Sequence, residues 1–360
     1  MGRKLVFVIQ IALLSVRMMA QTQQRWSLAP SVGTILVHSD NVENTRGARP
    51  RGIQIDYAWQ RTDSLAYRKF FGLPTQGVSF IAYNFDNNVL GNGYNLIYFI
   101  EPEIRFSART GLSFRAATGA SYLTNPHRPA SNPANNSYST HLIGYLGMSV
   151  QPYVQISKSI EISLGVSYRH VSNGGIKLPN KGVNWVTAEL SVYYFVGSKV
   201  NIQPILNRYK LEAWKKENRF DVYVFGSLCS IITETDKKYG VYGLGITHAF
   251  QTGKTHALTV GAEVYNDISA AIKMHQDGLN DQNMLRSGVL LGHEFLWGKF
   301  RFTQQVGLYL YDQTPYYPGW YHRWGILYAL NKHLSTGVVV KVHRHVAAFP
   351  DIRMVYSLKK

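Results

Sequence analysis

The sequence predicts an all-β protein, a transmembrane antiparallel β-barrel of about sixteen strands in two eight-strand units that close as two small barrels or as one larger one. Three observations predict it. Apolar and polar side chains alternate with a period of two in run after run, each near the about 9 to 11 residues that a tilted strand needs to cross a bilayer. Connections between the runs alternate between short and long, as in bacterial outer-membrane barrels, whose short turns face the periplasm and whose longer loops face outward. Beyond the N-terminus no stretch reaches the roughly 18 uninterrupted apolar residues of a spanning helix, so a chain in the membrane must cross it as strands.

Taken in order, residues 1–20 read as a signal peptide, with basic Arg3 and Lys4, an apolar core over 5–16 and a small residue, Ala20, at the cleavage point. Export to the cell outer membrane follows. The 360 residues are 45% hydrophobic, 13% aromatic and 16% charged, apolar enough to fold and therefore not a disordered chain. A formal charge of +17 suits an anionic partner. With an export leader and no long Lys/Arg block, that partner is an anionic lipid surface and not nucleic acid. Cys229 is the only cysteine, which excludes an intrachain disulfide or a cysteine cluster and leaves it a packing role. No cofactor or metal is implied: His343 and His345 share a strand face without acidic neighbours and read as lumen histidines.

The clearest run is 159–172. Ile160, Ile162, Leu164, Val166, Tyr168, His170 and Ser172 share one face, and Ser159, Glu161, Ser163, Gly165, Ser167 and Arg169 the other. Over 96–106, Tyr98, Ile100 and Ile104 oppose Glu101, Glu103 and Arg105; over 112–122, Phe114 and Ala120 oppose Arg115, Gly119 and Ser121. The same reading covers 185–196, 220–228, 242–250, 258–264, 300–310 and 324–330, and more faintly 53–59. Glu101, Glu103, Arg105, Arg115, Glu161, Arg169 and Glu189 are expected to point inward and pair in the lumen while the apolar face meets lipid. Short turns fall near 108–109, 157–158, 297–298 and 332–333, longer loops near 125–139, 171–183, 267–285 and 312–321.

A basic, partly helix-patterned stretch over 201–218 breaks the alternation. It divides the mature chain into a first barrel unit, 21–199, a linker, 200–218, and a second barrel unit, 219–360. The segments 163–172 and 335–344 align without a gap, as a duplicated unit would, with Val342 and Arg344 in place of His170 and Ser172. The second unit is accordingly expected to be non-catalytic.

The candidate chemistry lies where the 159–172 run meets the loop "RHVSNGGIKLPNKGVN", residues 169–184. His170 and Ser172 share the lipid-side face at the outer-leaflet end of their strand, a poor place for polar groups unless something uses them. A serine becomes a nucleophile when a base such as histidine takes its proton. Asn173, Gly174 and Gly175 supply a turn that can present amide N–H groups, as an oxyanion hole requires. Asn184 opens the next run on the same face as the pair.

His170, Ser172 and Asn173, followed by Gly175, Lys177, Pro179, Asn180 and Gly182 at this spacing between two barrel strands, resemble the active-site segment of the outer-membrane lipid A 3-O-deacylases, acyloxyacyl hydrolase-like enzymes. The resemblance is best over 160–197. It implies an eight-stranded barrel that hydrolyses an ester-linked acyl chain of lipid A in lipopolysaccharide with a Ser-His-Glu triad. By position, Ser172 would be the nucleophile, His170 the base, and Asn173, Gly175 and Asn180 oxyanion donors or loop supports. One departure matters: Asn184 stands where the family has its glutamate. Its carbonyl can orient the histidine but cannot stabilise an imidazolium by charge. The alternative from a different class is a non-catalytic barrel serving as a pore, an adhesin or a lipid-binding scaffold.

Overall fold

The computed structural model describes residues 22–64, 66–67, 72–210, 215–231, 237–279, 283–344 and 346–359. The expected leader, 1–20, and His345 lie outside the described residues. The chain falls into two compact units. One comprises the chain up to Asn125, His141–Val171 and Val183–Glu212; the other comprises Pro126–Thr140, Ser172–Gly182 and Ala213–Lys360.

In the first, β1 (Thr22–Ile35), β2 (Arg51–Arg61), β3 (Thr75–Asn84), β4 (Asn92–Glu101), β5 (Glu103–Arg105), β6 (Thr110–Leu123), β7 (Leu142–Gln155), β8 (Ile160–Ser172) and β9 (Val183–Phe195) form one antiparallel sheet. It closes through pairing of β1 with β9 and of β4 with β6, so that β4 and β5 together make one of eight staves. The interruption between them is Pro102, which has no N–H for the ladder, although its carbonyl still accepts from Phe114 N–H at 3.0 Å. Ile100, expected on the lipid face with Tyr98 and Ile104, is instead buried beside this interruption.

Elsewhere the period-two reading holds. Leu164, Val166, Tyr168, Leu190, Val192 and Tyr194 are exposed, while Glu161, Arg169 and Glu189 are buried. An outward apolar band with polar groups inside is what closure in lipid demands, since hydrocarbon satisfies neither charge nor backbone. The inward charges meet one another. Arg115 bridges Glu101 at 2.7 Å and Asp56 at 2.8 Å, Arg25 also holds Glu101, Lys199 pairs with Glu161, and Arg105 lies 2.9 Å from Glu103. Arg169 pairs with Glu189, whose carboxylate also accepts from Thr187 Oγ1 at 2.9 Å.

Glu189→Gln would leave Arg169 without its paired carboxylate in a water-poor lumen. A buried pair broken on one side costs about 3 kcal/mol. The expected result is a lower unfolding midpoint by gel heat-modifiability, with specific activity unchanged in the folded fraction. An unchanged midpoint would contradict this ion-pair account.

In the second unit, β10 (Arg219–Cys229), β11 (Tyr239–Gly253), β12 (His256–Asp267), β13 (Leu285–Trp297), β14 (Phe300–Tyr311), β15 (Trp320–Ala329), β16 (Leu334–His343) and β17 (Val346–Lys359) close as an eight-stranded barrel. Its interior is built on the same plan: Arg323 joins Glu263 at 2.8 Å to Asp351 at 2.6 Å, and Arg301 reaches Asp221 at 2.8 Å. His343 points inward and bonds the Tyr309 hydroxyl at 2.8 Å, and Cys229 is a buried packing residue.

Among the described residues, two α-helices and a short 3-10 helix (Asp40–Thr45) lie between strands. Helix α1 (Gln203–Lys210) lies in the helix-patterned stretch, and Ile202 ahead of it is buried with Ala66, Tyr67 and Leu73. Helix α2 (Ile268–Gln276) falls in a segment expected to be plain loop, and Asp267 caps it by accepting from Ala270 N–H at 3.0 Å. The two segments of the sequence echo fall on β8 and β16, each the seventh stave of its barrel.

Candidate active site

The site begins with strand register. β8 and β9 pair antiparallel with His170 directly opposite Asn184, a cross-strand placement that brings side chains on one face within reach. Trp185, the next residue of β9, points the other way and is fully buried, edge-on to Tyr83 at 5.6 Å and Phe85 at 5.3 Å between ring centroids. A one-residue slip of β9 would expel this indole to the outer face, so the packing of Trp185 holds Asn184 opposite His170.

His170 Nδ1 lies 2.6 Å from Asn184 Oδ1. The same oxygen accepts from the Tyr168 hydroxyl at 3.0 Å, while Asn184 Nδ2 meets His38 Nδ1 at 3.0 Å. With its NH₂ directed at His38 and its oxygen receiving Tyr168, the amide presents an acceptor to His170, and the imidazole carries its proton on Nδ1. That tautomer leaves Nε2 as the basic nitrogen. Glu189, the nearest carboxylate along β9, lies on the lumen face with Arg169 and is not part of this constellation.

Ser172 ends β8. Its Oγ accepts from Gly174 N–H and from Asn180 Nδ2, each at 2.9 Å. Asn180 Oδ1 in turn accepts from Asn173 N–H at 3.0 Å. The Asn173 side chain binds the loop together: its Oδ1 accepts from Gly175 N–H at 2.9 Å, and its Nδ2 donates to the Lys177 carbonyl at 2.8 Å and to Ser139 Oγ at 3.3 Å. Gly174 and Gly175 have φ of 70° and 94°, in the left-handed region open to glycine, which is why the amides can turn back toward Ser172 and Asn173.

Of the residues singled out in the sequence, Asn180 therefore contacts Ser172 Oγ, and Asn173 and Gly175 brace the loop, the Gly175 amide being taken by Asn173. His38, Tyr168 and Ser139 were not singled out. Tyr168 shares the parity of His170 two residues on and was within reach of the alternation argument. His38 is 146 positions from Asn184, and Ser139 is 34 from Asn173, and no local spacing points to either.

Residues 107–193, which include all six candidates, match the family model described as lipid A 3-O-deacylase. Residues 218–360 match the model described as acyloxyacyl hydrolase, C-terminal domain, and the two matches together span more than half of the chain. The chain belongs to the lipid A 3-O-deacylase family. The deacylase match runs across β6 to β9, the strands that carry the site, and the C-terminal match coincides with the second barrel.

No curated protein matches the chain. Among solved structures, a deletion mutant of the monoaromatic hydrocarbon channel TodX is 7% identical, with 94% of this chain and 89% of that one covered at a TM-score of 0.21. A triple mutant of the Rh. blastica porin is 9% identical, with 94% and 100% covered, also at 0.21. The fold of this deacylase-family chain rests on its own strand registers.

Proposed function

We propose that the protein is an outer-membrane serine esterase that removes an ester-linked acyl chain from lipid A of lipopolysaccharide, with Ser172 as nucleophile, His170 as base and Asn184 in place of the usual glutamate. The observation that carries this reading is the contact of His170 Nδ1 with Asn184 Oδ1, two residues before a serine whose oxygen already receives two donors. Leu164, Val166 and Tyr168 lead up to the pair along one exposed apolar face, so an acyl chain lying in the outer leaflet reaches the site without leaving lipid.

In the reaction, the Ser172 hydroxyl proton passes to His170 Nε2 as Oγ bonds to the ester carbonyl carbon. The negative charge that develops on the carbonyl oxygen is met by Gly174 N–H and Asn180 Nδ2, which at rest donate to the neighbouring Ser172 Oγ. Collapse breaks the ester bond, and His170 returns its proton to the sugar hydroxyl that leaves. Water, deprotonated by the same nitrogen, then releases the fatty acid and restores Ser172. Asn184 keeps the ring in the productive tautomer throughout, without adding charge. The resemblance implies a cut at position 3 of lipid A; residues 1–20 are read as the export signal from their own pattern, and the second barrel as non-catalytic because Val342 and Arg344 stand at its echo positions.

The pore alternative is weakened by the first barrel's lumen. Its interior is crossed by buried ion pairs, Arg115 with Glu101 and Asp56 and Arg169 with Glu189. Incubating the purified protein in detergent with lipid A should release one fatty acid per lipid A and expose the position-3 hydroxyl. Release from another position would overturn the regiochemistry, and no release from a folded barrel would overturn the function.

A further inference from the structure

Within the second unit, the loop Ser172–Gly182 is packed on the beginning of β17. A Cβ placed on Gly174 would sit 3.1 Å from both Cγ and Cδ of Pro350, and one on Gly175 would sit 3.0 Å from the carbonyl oxygen of Ala348. With φ in the left-handed region at both glycines and so little room, a side chain would be strained at either position, and the loop backbone lies close against β17. From the connection between β10 and β11, the Lys238 ammonium donates to the Ile176 carbonyl. The loop thus has two supports from the C-terminal barrel domain, an apolar one under Gly174 and a charged one at Ile176. Gly174 is also the residue whose N–H meets Ser172 Oγ.

We infer that the C-terminal barrel is a positioning element of the esterase site: Pro350 and Lys238 hold the loop so that Gly174 N–H and Asn180 stay aimed at the reacting oxygen. This rests on the deacylase reading above and goes beyond it by giving the second barrel a task. A donor that must meet a developing charge is useful only if it is held before the charge appears, because a loop that has to reorganise during the reaction loses that advantage. The Gly174 amide is attached to residues with φ above 60° and has no β-ladder of its own beyond Ser172. Its aim therefore depends on what lies beneath it. Neither Pro350 nor Lys238 touches substrate in this account, so their effect belongs in kcat and not in KM.

The test uses the full-length protein in detergent micelles. Lys238→Ala and Pro350→Ala should each lower kcat for lipid A deacylation about tenfold, the scale of a small misplacement of a catalytic group, with KM within twofold. Lys238→Arg, which keeps a cationic donor, should restore most of the rate. Hydrogen exchange read on peptides covering 172–182 should quicken in the two alanine variants while peptides from β10 to β16 keep their protection, which separates loss of loop support from failure to fold. Unchanged kcat together with unchanged exchange in both variants would overturn the inference, as would a loss confined to KM or one that arginine fails to rescue. If the wild-type protein does not deacylate lipid A at all, the reading of the site fails, and the exchange measurement still decides whether the barrel supports the loop.

Discussion

Ser172→Ala and His170→Ala are each expected to abolish acyl release from lipid A, lowering the rate by about 10⁴- to 10⁶-fold while leaving a heat-modifiable barrel in the membrane. The two losses should be similar and should not multiply in the double variant, because nucleophile and base act as one unit. Neither side chain contributes to the lumen ion pairs, and both sit at the end of β8 where burial is partial, so the barrel has no structural reason to fail. Acyl release and the gel shift on heating, measured on the same preparations, check both halves of the expectation. Full deacylation by either variant would remove these residues from the mechanism.

The second large effect concerns Asn184. Removing the acceptor frees the His170 ring to rotate or to carry its proton on the wrong nitrogen, so Asn184→Ala should cost on the order of 10²-fold in kcat, as expected when a catalytic group loses its positioning. Asn184→Glu tests the missing charge. In a serine triad the change from acid to amide costs about 10⁴, which sets the ceiling for any gain from the reverse change. A carboxylate at this position would accept from His170 and Tyr168 as the amide oxygen does, and His38, no longer receiving an N–H, would have to present a proton of its own. Proximity to lipid favours the neutral acid, so the gain should appear only as pH rises far enough to ionise the new carboxyl. Acyl release measured across pH for both variants checks this. Wild-type turnover by Asn184→Ala would mean that another group orients His170.

How far the sequence reached follows from which contacts are local. A period of two tells inside from outside along any strand, and in a barrel this is enough to place Glu189 with the lumen charges and His170, Ser172 and Asn184 on the lipid side. The antiparallel neighbour across a single loop could likewise be argued, since β8 and β9 are consecutive and both carry the alternation. The partners of the lumen charges could not: Arg25 and Glu101 are 76 positions apart, and only closure of the sheet brings them together. The same holds for His38 at the Asn184 amide and for Ser139 at Asn173, which arrive from other connections. Helix α2 was missed because nine residues between two strands carry too little periodic signal to stand out from a loop. Ile100 broke the alternation because Pro102 breaks the strand.

The most direct test of the central claim is mass spectrometry of lipid A from cells that carry the wild-type protein, the Ser172→Ala variant or neither. A catalytic Ser172 predicts lipid A lighter by one acyl chain, cleaved at position 3, in the wild-type cells alone. Identical lipid A in all three, with the barrel folded in the outer membrane, or the same loss of mass with Ser172→Ala as with wild type, would contradict it.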